Sequence, residues 1–133
     1  MEEKESWSLR EASQELGVPT SRLRYYCNAG LVPQVRRTLG RHRVLAKWQL
    51  EWLATLVGLR KAGLGMTELR RYANWCREGK ATLAERKALL ATRRRQLWQE
   101  LEDRQSAIDF LERREEMIDA ALAADDAEGN DWI

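Results

Sequence analysis

Residues 16–50 read LGVPTSRLRYYCNAGLVPQVRRTLGRHRVLAKWQL, with six arginines and one lysine but neither Asp nor Glu. A formal +7 over this stretch, in a chain of 133 residues with a net charge of only +2, describes an electrostatically polarised surface. Arginine suits such a surface because its planar fork meets phosphate oxygens two at a time. The cluster is the footprint of a nucleic-acid reader, the plainer alternative being a solvated basic face.

The residues around this stretch set its elements. Ser8-Leu9-Arg10-Glu11 fits a capping box, Leu9, Ala12 and Leu16 recur at helical spacing, and Gly17 stops the helix they predict. After the turn Gly17-Val18-Pro19, a second helix is expected over 20–29. Leu23 and Tyr26 point inward, and Ser21, Arg22, Arg24 and Tyr25 lie on or beside the opposite face. Two short helices joined by a tight glycine-containing turn make a helix-turn-helix, whose second helix enters the major groove. From Leu31 to Leu45 the helical period disappears. Leu31-Val32-Pro33 and Arg43-Val44-Leu45 can flank a β-hairpin with Thr38-Leu39-Gly40 near its tip, a wing carrying Arg36, Arg37, Arg41, His42 and Arg43.

Two further helices are expected over 47–62, with the stripe Leu50, Leu53, Leu56, Val57 and Leu59, and over 66–78, with Leu69, Tyr72, Ala73 and Cys76. Gly63 and Gly79 end them. The last helix is long, because 82–123 contain no Pro or Gly. Leu83, Leu90, Leu97, Leu111 and Ile118 keep a seven-residue spacing in which Arg104 fills one slot. Leu101, Ile108 and Leu122 form the companion row, broken by Glu115. A heptad seam on one helix cannot bury itself, and a second copy is the simplest partner.

Composition excludes several classes. The longest apolar runs fall far short of the ~20 residues a membrane span needs. The acidic start (Glu2, Glu3, Glu5) lacks the apolar region of a signal peptide, so a cytoplasmic protein is expected. Cys27 and Cys76 form no CxxC pair and His42 is the sole histidine, so neither a metal site nor a cofactor is expected. There is no Ser-His-Asp order, no GxxxxGK loop and no recognisable carboxylate pair, which argues against an enzyme. After Gln99, twelve acidic residues stand against three arginines, so the two ends cannot share one job.

This order of elements, with Leu23-Arg24-Tyr25-Tyr26 followed by Gly30-Leu31-Val32-Pro33, resembles the MerR family of bacterial transcription regulators over about residues 6–123. Leu69-Arg70-Arg71-Tyr72 and Cys76-Arg77-Glu78-Gly79 also look like its subgroup with short C-terminal regions. The implied fold is mainly α. A winged helix-turn-helix head with a β-hairpin wing and a two-helix connector (6–78) leads to a coiled-coil dimerisation helix (82–123) and a flexible tail (124–133). The resemblance implies a homodimer with antiparallel C-terminal helices that binds a pseudo-palindromic site in double-stranded promoter DNA. Activating members bend and untwist that DNA, and so act on RNA polymerase indirectly.

Carried over by position, Thr20, Ser21 and Arg22 open the recognition helix. Arg24 approaches a base edge or adjacent phosphate, and Tyr25 and Tyr26 supply hydroxyls and packing near the backbone. Arg36, Arg37, Arg41, His42 and Arg43 form the wing, and Arg60 falls where members place a basic residue beside the DNA backbone. Arg22 and Arg24 are expected to carry specificity, and the wing arginines affinity. Leu90, Leu97, Leu101, Ile108, Leu111 and Ile118 form the dimer seam. Trp48, Trp52, Tyr72, Trp75 and Trp98 could line a small-molecule effector pocket, against the reading that they are simply core.

There are departures from the family pattern. Cys27 replaces the glutamate usual after the tyrosine pair, His42 and Leu45 stand where aromatic wing residues are common, and Gln49 takes the place of a frequent aspartate. Gly58 stands where some short members carry a sensing cysteine, so that chemistry does not transfer. Cys27, beside Arg24, could instead be thiolate-prone and redox-active, against the reading of a packed small residue. Other readings of the whole chain are an excisionase-like architectural protein, an effector-free repressor, or a coiled-coil adaptor.

Overall fold

The computed structural model describes residues 5–124 and 131–133. The expected looseness of the tail at 125–130 and the acidic Glu2 and Glu3 lie outside the described residues. The chain divides into two units, Met1–Leu89 and Leu90–Ile133.

In the first unit a short strand β1 (Ser6–Ser8) runs into helix α1 (Leu9–Leu16). Ser8 closes both halves of the capping box: its Oγ accepts the Glu11 N–H at 3.1 Å, and Glu11 Oε1 accepts the Ser8 N–H at 3.1 Å. Gly17, at φ 66°, ends α1 in the left-handed conformation that glycine adopts without a Cβ penalty. Helix α2 follows at Thr20–Asn28, with Leu23 and Tyr26 on its buried side. The wing strands β2 (Arg36–Arg37) and β3 (Arg43–Ala46) precede α3 (Lys47–Lys61) and α4 (Met66–Glu78). A 3₁₀ turn over Gly79–Thr82 leads into α5 (Leu83–Ala124).

The sheet order is β1-β3-β2, antiparallel throughout, with Trp7 opposite Leu45 and Arg37 opposite Arg43. Two features differ from expectation. Strand β1 was not anticipated, and the first wing strand is Arg36–Arg37, not Leu31-Val32-Pro33. Leu31 and Val32 are instead core residues at 2% and 5% exposure. Their apolar character serves the core beneath the wing, so the segment runs inward instead of pairing.

One core unites Trp7, Ala12, Leu23, Tyr26, Leu45 and Leu53 with Leu56 and Leu69, all buried. It thereby fixes α2 and β3, the two carriers of basic residues, against α3 and α4. In the second unit no residue of α5 is buried. Its 42 residues extend about 63 Å at 1.5 Å per residue. Among the described residues, no helix is long and apolar enough to cross a membrane, and no group of three His, Cys, Asp or Glu side chains could hold a metal.

Candidate nucleic-acid interface

Helical spacing places Thr20, Arg24 and Asn28 on one stripe of α2, and this stripe meets the wing. Together with Arg37, Arg41, His42 and Arg43, and with Ser8, Leu9 and Arg10 at the start of α1, it lines a cleft of about 490 Å³. Its lining includes five arginines and no acid. Among the described residues none of these arginines has a carboxylate partner. The cleft therefore carries concentrated positive charge that only an external anion can balance. At the entrance to α2, Pro19 provides no side-chain cap and the first turn holds no acid. The positive end of the α2 dipole adds to the attraction for an anion.

Several cleft residues are held by each other. The Arg43 guanidinium donates to Asn28 Oδ1, tying β3 to the end of α2. Arg37 Nη1 donates to the Arg41 carbonyl at 3.1 Å across the wing tip. The tip is a turn in which the Arg41 N–H reaches the Thr38 carbonyl and the Thr38 N–H reaches that of His42, both at 2.8 Å. Arg41 itself sits at φ 62°, a conformation that disfavours any residue with a Cβ. An arginine placed where glycine would be easier indicates that the side chain matters there.

The expected DNA-facing residues separate into groups. Thr20, Arg24, Arg37, Arg41, His42 and Arg43 come together in the cleft. Ser21, Arg22 and Tyr25 are exposed on the adjoining ridge of α2 and do not line it. Tyr26 is 2% exposed and packs in the core. Arg36 points to the other face of the wing, into a concavity shared with Glu5 and Gln34. Arg60 lies outside the cleft, its Nη1 donating to the Leu64 carbonyl at 3.2 Å. Arg10 and Asn28 were not anticipated. Arg10 precedes the acid-free stretch, while the spacing of Thr20, Arg24 and Asn28 was the available signal for the latter.

Cys27 does not have the environment expected of a thiolate. Burial pushes its pKa up, and the opposing pull of Arg43 and Arg37 does not overcome it. The thiol is half-buried against the core.

The segment 30–33, which joins α2 to the wing, is held from behind. Arg77 Nη2 donates to the Gly30 carbonyl, Trp52 Nε1 to that of Leu31 at 2.8 Å, and Gln49 Nε2 to that of Pro33 at 2.8 Å. Of the five aromatic residues considered for an effector, Trp48 and Trp52 line a cavity of about 410 Å³ beside this segment, with Glu51, Cys76 and Arg77. Tyr72 stacks against Trp52 with ring centres 6.0 Å apart, outside the lining. Trp75 is half-buried and its carbonyl accepts the Thr82 hydroxyl. Trp98 belongs to the second unit, where its ring is exposed. In that same unit Leu90, Leu97, Leu101, Ile108, Leu111 and Ile118 are all exposed.

The family model for MerR HTH family regulatory proteins matches residues 7–74. Among curated relatives, an uncharacterised HTH-type transcriptional regulator of Haemophilus influenzae is 25% identical over 107 residues, covering 80% of this chain and 79% of that protein. The Bacillus subtilis HTH-type transcriptional regulator AdhR is 30% identical over 90 residues, covering 68% of this chain and 64% of AdhR. Among solved structures, a MerR family transcriptional regulator from Listeria monocytogenes is 31% identical, with a TM-score of 0.75 over 89% of both chains. HiNmlR, a MerR family regulator lacking the sensor domain and crystallised bound to promoter DNA, has a TM-score of 0.77 and 24% identity, over 92% of this chain and 93% of its own.

Proposed function

This chain belongs to the MerR HTH family of regulatory proteins, and from that premise we propose that it is a homodimer that binds and deforms promoter DNA. The observation that carries the reading is the acid-free cleft, in which the α2 stripe and the wing present arginines to one shared space. α2 enters the major groove with Thr20 and Arg24 leading, while Arg37, Arg41 and Arg43 hold flanking phosphates. A structurally similar regulator was crystallised on promoter DNA, which supports the same use of this head. The heptad seam of α5 joins two heads, so the site is a pair of related half-sites. Bending and untwisting between them changes how RNA polymerase meets the promoter. The cavity beside Trp48 and Trp52 is where a small-molecule effector would act. Residues 6–78 form the DNA-binding part and 82–123 the dimerisation helix.

Footprinting on the chain's own upstream region, at several salt concentrations, tests this reading. The expected result is a protected, near-palindromic site with altered cleavage at its centre. If about four arginines per head each neutralise one phosphate, log affinity falls against log salt with a slope of roughly −3.6 per head. Absence of binding to any duplex at low salt would refute the proposal and favour an adaptor built on the long helix.

A further inference from the structure

The apolar stripe of α5 is interrupted by two charged residues. Leu97, Leu101, Ile108, Leu111, Ile118 and Leu122 are exposed along the helix, and Arg104 and Glu115 occupy the missing places in their two rows. Elsewhere on the helix Arg93 meets Glu100, Gln99 meets Asp103, and Gln105 meets Asp109. Arg104 and Glu115 have no hydrogen bond or ion pair among the described residues. A charge that enters a coiled-coil seam without its opposite is heavily penalised, and a matched pair there selects one alignment.

Two copies of the seam can align in few ways. In a parallel pair each residue meets itself, so Arg104 would face Arg104 and Glu115 would face Glu115. In an antiparallel pair the two rows alternate across the interface. Then the residue numbers facing each other have a constant sum, which a slip of one heptad changes by seven. With a sum of 219, Arg104 faces Glu115, Leu97 faces Leu122, Leu101 faces Ile118 and Ile108 faces Leu111, each twice. With 212, Glu115 falls on Leu97 and Arg104 on Ile108. With 226, Glu115 falls on Leu111 and Arg104 on Leu122. Only the first alignment leaves no charge against an apolar residue.

We propose that reciprocal Arg104–Glu115 pairs hold the α5 helices of the dimer in a single register. Six apolar layers and two charged ones then sit symmetrically about a two-fold axis between Asp109 and Phe110. The inference rests on the homodimer reading and adds its register and the residues that set it.

The test uses the full chain and sedimentation equilibrium. Arg104→Glu puts two carboxylates opposite each other in the proposed alignment, and the dimer Kd should rise at least about tenfold. Adding Glu115→Arg restores opposite charges and should bring Kd back to within about threefold of the parent. In a parallel pair the first change only exchanges one like-charged layer for another. An Arg104→Glu Kd within about threefold of the parent would therefore overturn the proposal. Failure of the double variant to recover would overturn it as well. Register is read separately in a Cys27→Ser, Cys76→Ser background. Leu97→Cys with Leu122→Cys should form a disulfide-linked dimer on mild oxidation, whereas Leu97→Cys alone should not. Ready cross-linking of the single-site variant would refute the antiparallel register. A parent chain that stays monomeric at every concentration would instead refute the homodimer reading.

Discussion

Gln49 is 3% exposed and occupies the third position of α3, where both ends of its amide are used. Oε1 accepts the Ala46 N–H at 2.7 Å, capping the helix, and Nε2 donates to the Pro33 carbonyl at 2.8 Å, fixing the segment that leads to the wing. Gln49→Leu keeps the approximate volume and removes both bonds. Each lost bond contributes roughly 1–1.5 kcal/mol, and stranding the half-buried partners adds part of their desolvation penalty. Extra apolar burial by leucine returns about 1 kcal/mol. The net expectation is a loss of about 2–3 kcal/mol. With a urea m-value of about 1–3 kcal/mol/M, this lowers the midpoint by roughly 0.7–3 M.

Tryptophan fluorescence reports the transition, at one fixed protein concentration because the proposed dimer would make stability depend on it. Gln49→Glu separates the two bonds. A carboxylate can still accept from Ala46, but it cannot donate to Pro33. Burial and the facing carbonyl raise its folded-state pKa above the ~4.3 of an unfolded glutamate. The added stability of the protonated form is therefore complete below about 4.3 and is lost as pH rises through the folded-state value. A Gln49→Leu loss below about 0.5 kcal/mol, or a Gln49→Glu variant whose stability difference from the parent ignores pH, would refute the two-bond account.

Other perturbations probe separate links. Arg24→Ala should weaken binding to the specific site by about 1–3 kcal/mol more than to random duplex, and equal losses in anisotropy titrations would mean that Arg24 touches only phosphate. Arg41→Gly relieves a left-handed backbone and should stabilise the head by about 0.5–1 kcal/mol while lowering DNA affinity. A parallel change in both would contradict a functional role for that side chain. Gly58 lies within α3 with nothing within 4 Å of an added Cβ. Gly58→Ala should therefore raise stability by roughly 0.5–1 kcal/mol in urea unfolding. Leu101→Lys should give monomers by light scattering that bind DNA poorly, and a persistent dimer would place the seam elsewhere.

The parts of this fold that follow local rules were legible in the sequence. Ser8 and Glu11 announced α1, Gly17 ended it, and the stripes of α3 and α4 set those helices to within a residue. The sheet was harder to read. Strand β1 has three residues and pairs with a partner about 40 positions away, so it has no alternation of its own to betray it. Leu31 and Val32 looked like a strand because both are apolar and Val32 is β-branched, yet that character answers to the core. The basic stretch supplies most of the cleft, but the lining depended on which face each residue took. Arg36 and Arg37 are neighbours in β2 and point oppositely, as alternate strand residues must. Arg10 entered from α1 only through tertiary packing. The bonds from Gln49, Trp52 and Arg77 to backbone carbonyls span 16, 21 and 47 positions and have no periodic signature.

Those three bonds bear on how the head could be re-engineered or could diverge. They tie the recognition helix and the wing to one platform through residues 30–33, so the distance between the two reading parts is not adjustable by the linker itself. Insertions should be tolerated at the wing tip near Leu39, which is fully exposed, and rejected between Gly30 and Pro33. A library meant to retarget the protein would vary the outward positions of α2 and leave the platform untouched. Grafting α2 into a homologous head should succeed only when the equivalents of Gln49, Trp52 and Arg77 travel with it.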